Sequence, residues 1–479
     1  MSVSWERPEY RDKKAEWDKI DDIVFGQNLR KYLIPINPTD TSDENRERNR
    51  QYTDRAVFYG FAGYTFRGMV GAVYSKDPQL ELPPVMDYMK QNVDGAGNSV
   101  YQQSQSVLGD VVRKGRAGLF VAFPPSEGGV SRSNIISGAT VATIHHIECQ
   151  DIINWRYRTD GAKRILELVV FRFWDEKPMG FETDMVQKWR ALSIEDGVYV
   201  DRTFAESSEG GSDGNGKVLL MEAETIPRQS NGQPWSYIPF TFVGSENNDA
   251  SIDPAPMLDL VRLNIGHYRN SADYEDSVYY SGQPQPWASG IDEQWVAMSK
   301  KAGFYIGSRS LMPVPEGETF AFASAPPNPL VGEAMREKVQ QMIALGARIV
   351  QPGSAAKTAT QAESESAVQH SILSLVAANV TEAYQHALEW AANYMGQPQD
   401  ILFELNRDFG ISRADPQMLS AVVASWNQGA IPTPALWDWM RSVGLISGEV
   451  TNEELEGSES GFLPLTEPVA QSQEAVPND

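Results

Sequence analysis

One cysteine, Cys149, stands in 479 residues. An intrachain disulfide and a multi-thiolate metal site are both excluded on that ground. Histidine is nearly as scarce, with five copies. No apolar run approaches the ~20 residues of a membrane helix, and the first ten residues are polar, so neither a membrane span nor a signal peptide is expected. Basic residues are short too: 41 Lys and Arg face 64 Asp and Glu, a formal net charge of −23. Such a surface does not wrap nucleic acid tightly, because that affinity comes from Lys and Arg neutralising phosphates. Beyond Arg441 there is no Lys or Arg at all, while Glu449, Glu453, Glu454, Glu456, Glu459, Glu467 and Glu474 accumulate. From 457 this acidic tail is expected to be disordered.

What remains is an ordinary globular composition, 41% hydrophobic, long enough for two or three domains. A soluble chain folding inside the cell is the default expectation.

The organising stretch runs from Asp253 to Trp287. Met257, Val261, Ile265, Tyr268 and Ala272 form one apolar stripe at three-four spacing. Asp253 and Pro254 read as an N-cap and first-turn proline, and Gly282, Pro284 and Pro286 forbid continuation, so a helix is expected over about 254–281. Its other side, with Asp259, Arg262, Asn264, Asn270, Asp273 and Asp276, suits solvent or the wall of an aqueous tunnel.

Around it, Trp17, Ile20 and Val24 predict an opening helix, and Asp43 to Arg50 a solvated charged helix face. Arg55 to Tyr74 reads as a buried helix packed through glycines. Lys114-Gly115-Arg116-Ala117-Gly118 turns from a helix into an apolar strand. Residues 150–243 are β-rich, with hairpin turns at Asp160-Gly161 and Asp196-Gly197. Phe320 to Pro329 reads as a stiff small-residue loop. Met335, Val339, Met342 and Gly346 mark the next helix, and a longer one spans about 358–395. Asp415-Pro416 and Thr433-Pro434 open a small pair of helices.

The search for chemistry returns little. Gly211 to Lys217 has the spacing of a nucleotide-binding loop, but Val218 stands where a magnesium-binding Ser or Thr is needed, and no helix follows. His145, His146, Glu148 and Cys149 look like metal ligands, yet adjacent histidines on a strand point to opposite faces. Carboxylates are scattered rather than paired. No catalytic residue, cofactor or metal site is expected, and a nucleotide-using enzyme built on the Gly211 loop is the weakest reading.

The order of elements resembles the portal proteins of tailed bacteriophages, in a branch first described as a domain of unknown function. The resemblance rests on Arg55 to Pro83, Gly115-Arg116-Ala117-Gly118, Cys149 to Trp155, Ile238-Pro239-Phe240, Leu263 to Tyr274 and Thr358-Ala359-Thr360. It implies an α+β portal fold: a mixed α/β wing, a helical stem, a β-rich clip and a helical crown. Carried onto this chain, the wing takes 1–145 and 284–331, the clip module 146–250, the stem helix 251–283, further long helices 332–400, the crown 401–456 and the acidic tail 457–479. Ser324, Pro326, Pro327, Asn328, Pro329 and Arg336 become channel-loop candidates. Met257, Val261, Ile265 and Tyr268 become subunit-packing candidates.

The resemblance also implies a homo-oligomeric ring, usually dodecameric, at one capsid vertex of the virion. The ring would be assembled in the host cytoplasm, pass double-stranded DNA in packaging and ejection, and contact the terminase large subunit, a head–tail adaptor and the major capsid protein, with no membrane partner. The alternative is an oligomeric virion scaffold or tail-adaptor protein without a DNA channel.

Overall fold

The computed structural model describes residues 2–122, 141–206, 219–283, 285–290, 292–302, 317–323, 329–350, 371–398, 400–407, 425–426 and 431–442. Two compact units divide the chain, 1–408 and 409–479.

Helix α1 (Pro8–Phe25) begins on a proline, which lacks only an N–H the first turn leaves unpaired anyway, and stops at Gly26 in the left-handed region. Its Tyr10, Trp17, Ile20, Ile23 and Val24 are buried. Helix α2 (Asp43–Arg55) is capped by the Ser42 hydroxyl, which accepts from the Asn45 N–H. Helix α3 (Phe61–Val73) lies so close to α1 that a Cβ on Gly63 would sit 2.3 Å from the Val24 carbonyl oxygen. Glycine is required there. The helix is buried on one side only, since Tyr64 is exposed.

Strand β1 (Gln79–Glu81) precedes helix α4 (Val100–Lys114), which opens with a reciprocal Ser99–Gln102 capping box. Gly115, at φ +76°, turns α4 directly into β2 (Arg116–Ala122), as expected from the sequence. The backbone of Asp253 and Pro254 presses on that turn; a Cβ on Gly115 would meet the Pro254 oxygen at 2.6 Å.

Strand β3 (Thr143–Glu148) pairs with one edge of β2. Then β4 (Ile152–Asp160), β5 (Lys163–Met179), β6 (Glu182–Glu195), β7 (Val198–Glu206) and β8 (Leu219–Thr225) form a five-stranded antiparallel meander in chain order. Both anticipated turns are present, at Gly161 and at Asp196-Gly197, the latter pair with φ of +48° and +79°. Strand β9 (Phe240–Gly244) does not join this meander. It pairs with the other edge of β2, so the expected β-rich segment contributes to two sheets.

Helix α5 (Leu258–Gly282) starts later than its proline signal indicates. The Asp253 carboxylate accepts from the Glu246 and Asn247 N–H groups instead, capping the loop after β9 rather than α5. After α5 come β10 (Gln285–Ala288), α6 (Glu293–Ala302), β11 (Phe320–Ala323) and α7 (Pro329–Val350). The first residues of the expected small-residue loop are thus a strand, paired antiparallel with β10 because Phe320 to Ala323 have an extended partner.

Helix α8 (Ile372–Tyr394) runs through the middle of the larger unit. Its Leu373, Val376, Val380, Ala387 and Ala391 are wholly buried, and it packs on α4, β2 and β9. The expected start of this helix at 358 lies outside the described residues, as do the acidic tail and the Asp415-Pro416 signal. Strand β12 (Leu402–Glu404) returns to pair with β1. In the second unit α9 (Thr433–Ser442) begins on the expected Thr-Pro pair, and the Trp426 indole donates to the Thr433 hydroxyl at 3.2 Å. Helices together with antiparallel sheets make the chain α+β.

Candidate functional site

Helices α5 and α7 lie side by side in opposite directions. Gly266 faces the Lys338 stem, where a Cβ would come within 3.2 Å of Cε, and Gly332 faces the Tyr274 ring at 3.5 Å. The ribbon of β10 and β11, with Trp287 opposite Ala321, ties their far ends together. The result is a rod within the larger unit, with a near half packed on α1, α2 and α3 and a far half leading to the ribbon.

Its near half is covered by its own chain. Met257, Val261, Ile265 and Tyr268 are at most 7% exposed. Leu33, Tyr52, Ala56 and Phe58 cluster on Tyr268 and Ala272, and the Phe58 ring meets Tyr268 edge-on at 5.4 Å. Within the single chain, α1, α2 and α3 supply the neighbour that the stripe requires, so these four subunit-packing candidates are covered by their own subunit. Nor is the opposite side simply a wet wall. Asn264 is fully buried, accepting from the Ala62 N–H at 2.9 Å and donating to the Tyr59 oxygen at 2.8 Å. The Tyr52 hydroxyl donates to Asp273 at 2.7 Å, and Arg48 and Arg55 both reach Asp276. The charged run of α2 is thus a clasp on α5, not only a solvated face. Arginines seven apart on α2, two helical turns and therefore on one face, were the available signal.

The far half is different. Tyr274, Val278, Tyr279 and Tyr280 of α5, Trp287 and Phe322 of the ribbon, and Leu330 of α7 are large apolar residues left exposed. The Arg55 guanidinium lies 3.6 Å from the Tyr279 ring centre and that of Arg48 4.8 Å from Tyr280. These contacts hold the rings in place without covering them. Among the channel-loop candidates, Pro329 begins α7 and is exposed, and Arg336 lies exposed on the same helix. Ser324, Pro326, Pro327 and Asn328 lie outside the described residues, as does the Gly211 to Lys217 loop.

The densest chemistry is a buried ionic cluster between α4 and β3. Lys114 Nζ, wholly buried, lies 3.1 Å from Asp110, 3.0 Å from Glu148 and 3.4 Å from Asp21. Arg113 joins Asp21 and Asp110, and His146 Nε2 lies 2.9 Å from the second Asp110 oxygen. Burial works against the charge on Asp110, but Lys114, His146 and Arg113 outweigh it and hold its carboxyl well below the usual range. Burial pushes the Cys149 thiol far above its ordinary value, beyond what nearby Lys114 recovers, so it is not a ready nucleophile. His145 turns the other way, stacked on Phe120, and burial with nearby Arg190 lowers its pKa to about 4. The two histidines hence serve separate packing sites. Among the described residues no group of three or more His, Cys, Asp or Glu could hold a metal ion. This cluster ties α1, α4 and β3 together.

No helix among the described residues is long and apolar enough to cross a membrane. Residues 256–395, from just before α5 to just after α8, match a family described as a domain of unknown function, DUF4055. No curated protein matches the chain. Among solved structures, the chain is similar to one in the virion of a native gene transfer agent particle, at 14% identity and a TM-score of 0.36, covering 85% of this chain and 91% of that one. It is also similar to one in the neck of an empty gene transfer agent particle, at 15% identity and a TM-score of 0.36, covering 85% of this chain and 92% of that one.

Proposed function

We propose that this chain is the portal protein of a tailed phage. Copies form a ring at one capsid vertex, through which double-stranded DNA enters and leaves and onto which the terminase large subunit and a head–tail adaptor dock. The chain itself is a structural connector, with no catalytic step of its own.

The observation that carries this reading is the far half of the α5–α7 rod. Seven large apolar residues, Tyr274, Val278, Tyr279, Tyr280, Trp287, Phe322 and Leu330, stand exposed on α5, the ribbon and the start of α7. Large apolar residues left exposed in this number on one pair of helices and its ribbon are candidates for cover by a protein partner. A rod whose base is buried in its own subunit and whose outer part has no cover is suited to packing against copies of itself around an axis. The acidic balance of −23 fits a passage that lets a duplex slide, since each phosphate neutralised would add to the grip.

Electron microscopy of the purified full chain tests this. Rings with a central opening wide enough for a duplex are the expected result. Single globular copies at high concentration would overturn it, and closed assemblies lacking an opening would move the reading to a virion scaffold or tail adaptor.

A further inference from the structure

The meander sheet carries an arm that no other strand among the described residues supports. Strand β4 pairs with β5 only as far as Phe171, and β7 pairs with β6 only as far as Lys188. From Phe173 to Gln187 the hairpin of β5 and β6 continues as two strands, with no third strand beside it among the described residues. A two-stranded ribbon is marginally stable in water at best. Here it also exposes apolar side chains: Phe181 at the turn is fully exposed, and Trp174, Met179 and Met185 are each about half exposed or more. Around them stand Asp175, Glu176, Glu182 and Asp184 against the single Lys177, so the tip is an acidic knob with an apolar point.

At the other end of the same sheet lies a complementary hollow of about 590 Å³, walled by Trp155 and Tyr157 and rimmed by Arg7, Lys13, Arg156 and Arg164. Its acids are Glu9, already held by Arg7 at 2.9 Å, and Asp12. Arg164 sits 5.2 Å from the Tyr157 ring and has no carboxylate partner among the described residues. Behind the wall is Arg116, 1% exposed, with its guanidinium 4.4 Å from Trp155 and 4.1 Å from Phe242. Its Nη1 donates to the Ala250 and Ser251 oxygens, which also line the hollow, while its Nη2 has no partner. Lys13 and Arg156 are held by Glu16 at 2.8 Å and Glu167 at 2.7 Å, so the hollow combines aromatic walls with one rim cation, Arg164, left for an incoming acid.

Arg164 and Met179 lie on one strand fifteen residues apart, about 50 Å at ~3.3 Å per residue. An arm cannot bend back into its own hollow over that length. Two arms also cannot pair with each other without bringing like charges together. We propose that the β5–β6 arm of one copy docks, Phe181 first, into the Trp155–Tyr157–Arg164 hollow of the next copy. The contact is head to tail: knob and hollow are different surfaces of one subunit, which is the type of interface that closes into rings. This inference rests on the ring reading and names one of its joints.

The test uses the purified full chain and two variants, Phe181→Asp and Arg164→Glu, sized by analytical ultracentrifugation and checked by circular dichroism. Each variant alone is expected to fall from the assembly to the mass of a single copy with an unchanged spectrum. Mixed together they should form one-to-one dimers and stop there, because one lacks a knob and the other a hollow. A double variant, Phe181→Cys with Tyr157→Cys, should give an oxidised ladder of cross-linked copies, with little background because Cys149 is buried. If both single variants assemble like the unaltered chain, or neither pairs when mixed, the docking is wrong while the ring reading stands. If the unaltered chain stays single at every concentration, the ring reading falls and the joint falls with it.

Discussion

The guanidinium of Arg48 closes on the carboxylate of Asp276 with two bonds, Nη1 to Oδ1 at 2.8 Å and Nη2 to Oδ2 at 2.5 Å, across 228 positions of chain. Two parallel charge-assisted bonds fix orientation as well as distance, so α2 is held at a defined angle to the middle of the rod. Arg55 adds a third bond to the same carboxylate at 2.9 Å. The Asp276 side chain is only 14% exposed, so solvent screens the pair incompletely. Asp276→Asn is expected to lower stability by about 1–3 kcal/mol in urea unfolding. It should also speed hydrogen exchange in α2. Unchanged exchange there would mean the clasp does not hold the helix.

The two halves of α5 give opposite expectations for one kind of substitution. Ile265→Asp puts an unpaired charge into the buried stripe and should cost about 4 kcal/mol or more, leaving little folded protein. Val278→Asp lies on the exposed far half and should change stability by no more than about 0.5 kcal/mol. It should nevertheless reduce assembly measured by light scattering. A well-folded Ile265→Asp protein that fails only in assembly would return the stripe to the subunit interface.

Asp110 is the carboxylate on which the buried cluster depends. Asp110→Asn leaves Lys114 and Arg113 buried with less compensation and is expected to cost about 3–5 kcal/mol. Its folded pKa is depressed, so its contribution is fully present above the unfolded value of about 4 and is lost as pH falls toward the lower folded value. Urea midpoints of the native chain should therefore decline below about pH 4. The Asn variant should show a lower plateau and a flatter acid limb, and parallel curves would refute the assignment.

His145 acts in a higher window. Its ordinary value is 6.5 and burial takes the folded one to about 4, so between these limits the unfolded chain binds more protons than the folded chain. Stability then rises with pH across that window, by up to about 3 kcal/mol in total. His145→Gln should remove most of that slope while keeping a polar group near Thr143, whose hydroxyl lies 3.0 Å from Nε2. The check is the difference between urea midpoints at pH 7 and pH 5 in the two proteins.

Local signals were legible where a short stretch carries its own geometry. Asp196-Gly197 both adopt positive φ because a tight hairpin turn requires it, and Gly115 ends a helix for the same kind of reason. The helical stripe from Met257 to Ala272 is real, since spacing alone sets which residues share a face. Asp253 misled because a carboxylate before a proline looks like a helix cap from either side of the loop, and only the fold brings the Glu246 and Asn247 N–H groups to it. The β11 strand was hidden because four small and aromatic residues become a strand only when β10 lies beside them.

The sequence by itself determined that this chain forms long amphipathic helices, tight antiparallel hairpins and an acidic whole, because spacing, turn residues and charge act over a few positions. The tertiary structure alone decided which surface is left over. It spent the Met257–Tyr268 stripe on the subunit's own core, exposed Val278 to Tyr280 instead, and set Phe181 and Arg164 at opposite ends of one sheet. Burial belongs to the neighbours a residue acquires, and those neighbours, such as Leu33 and Tyr52 against Tyr268, come from more than two hundred positions away.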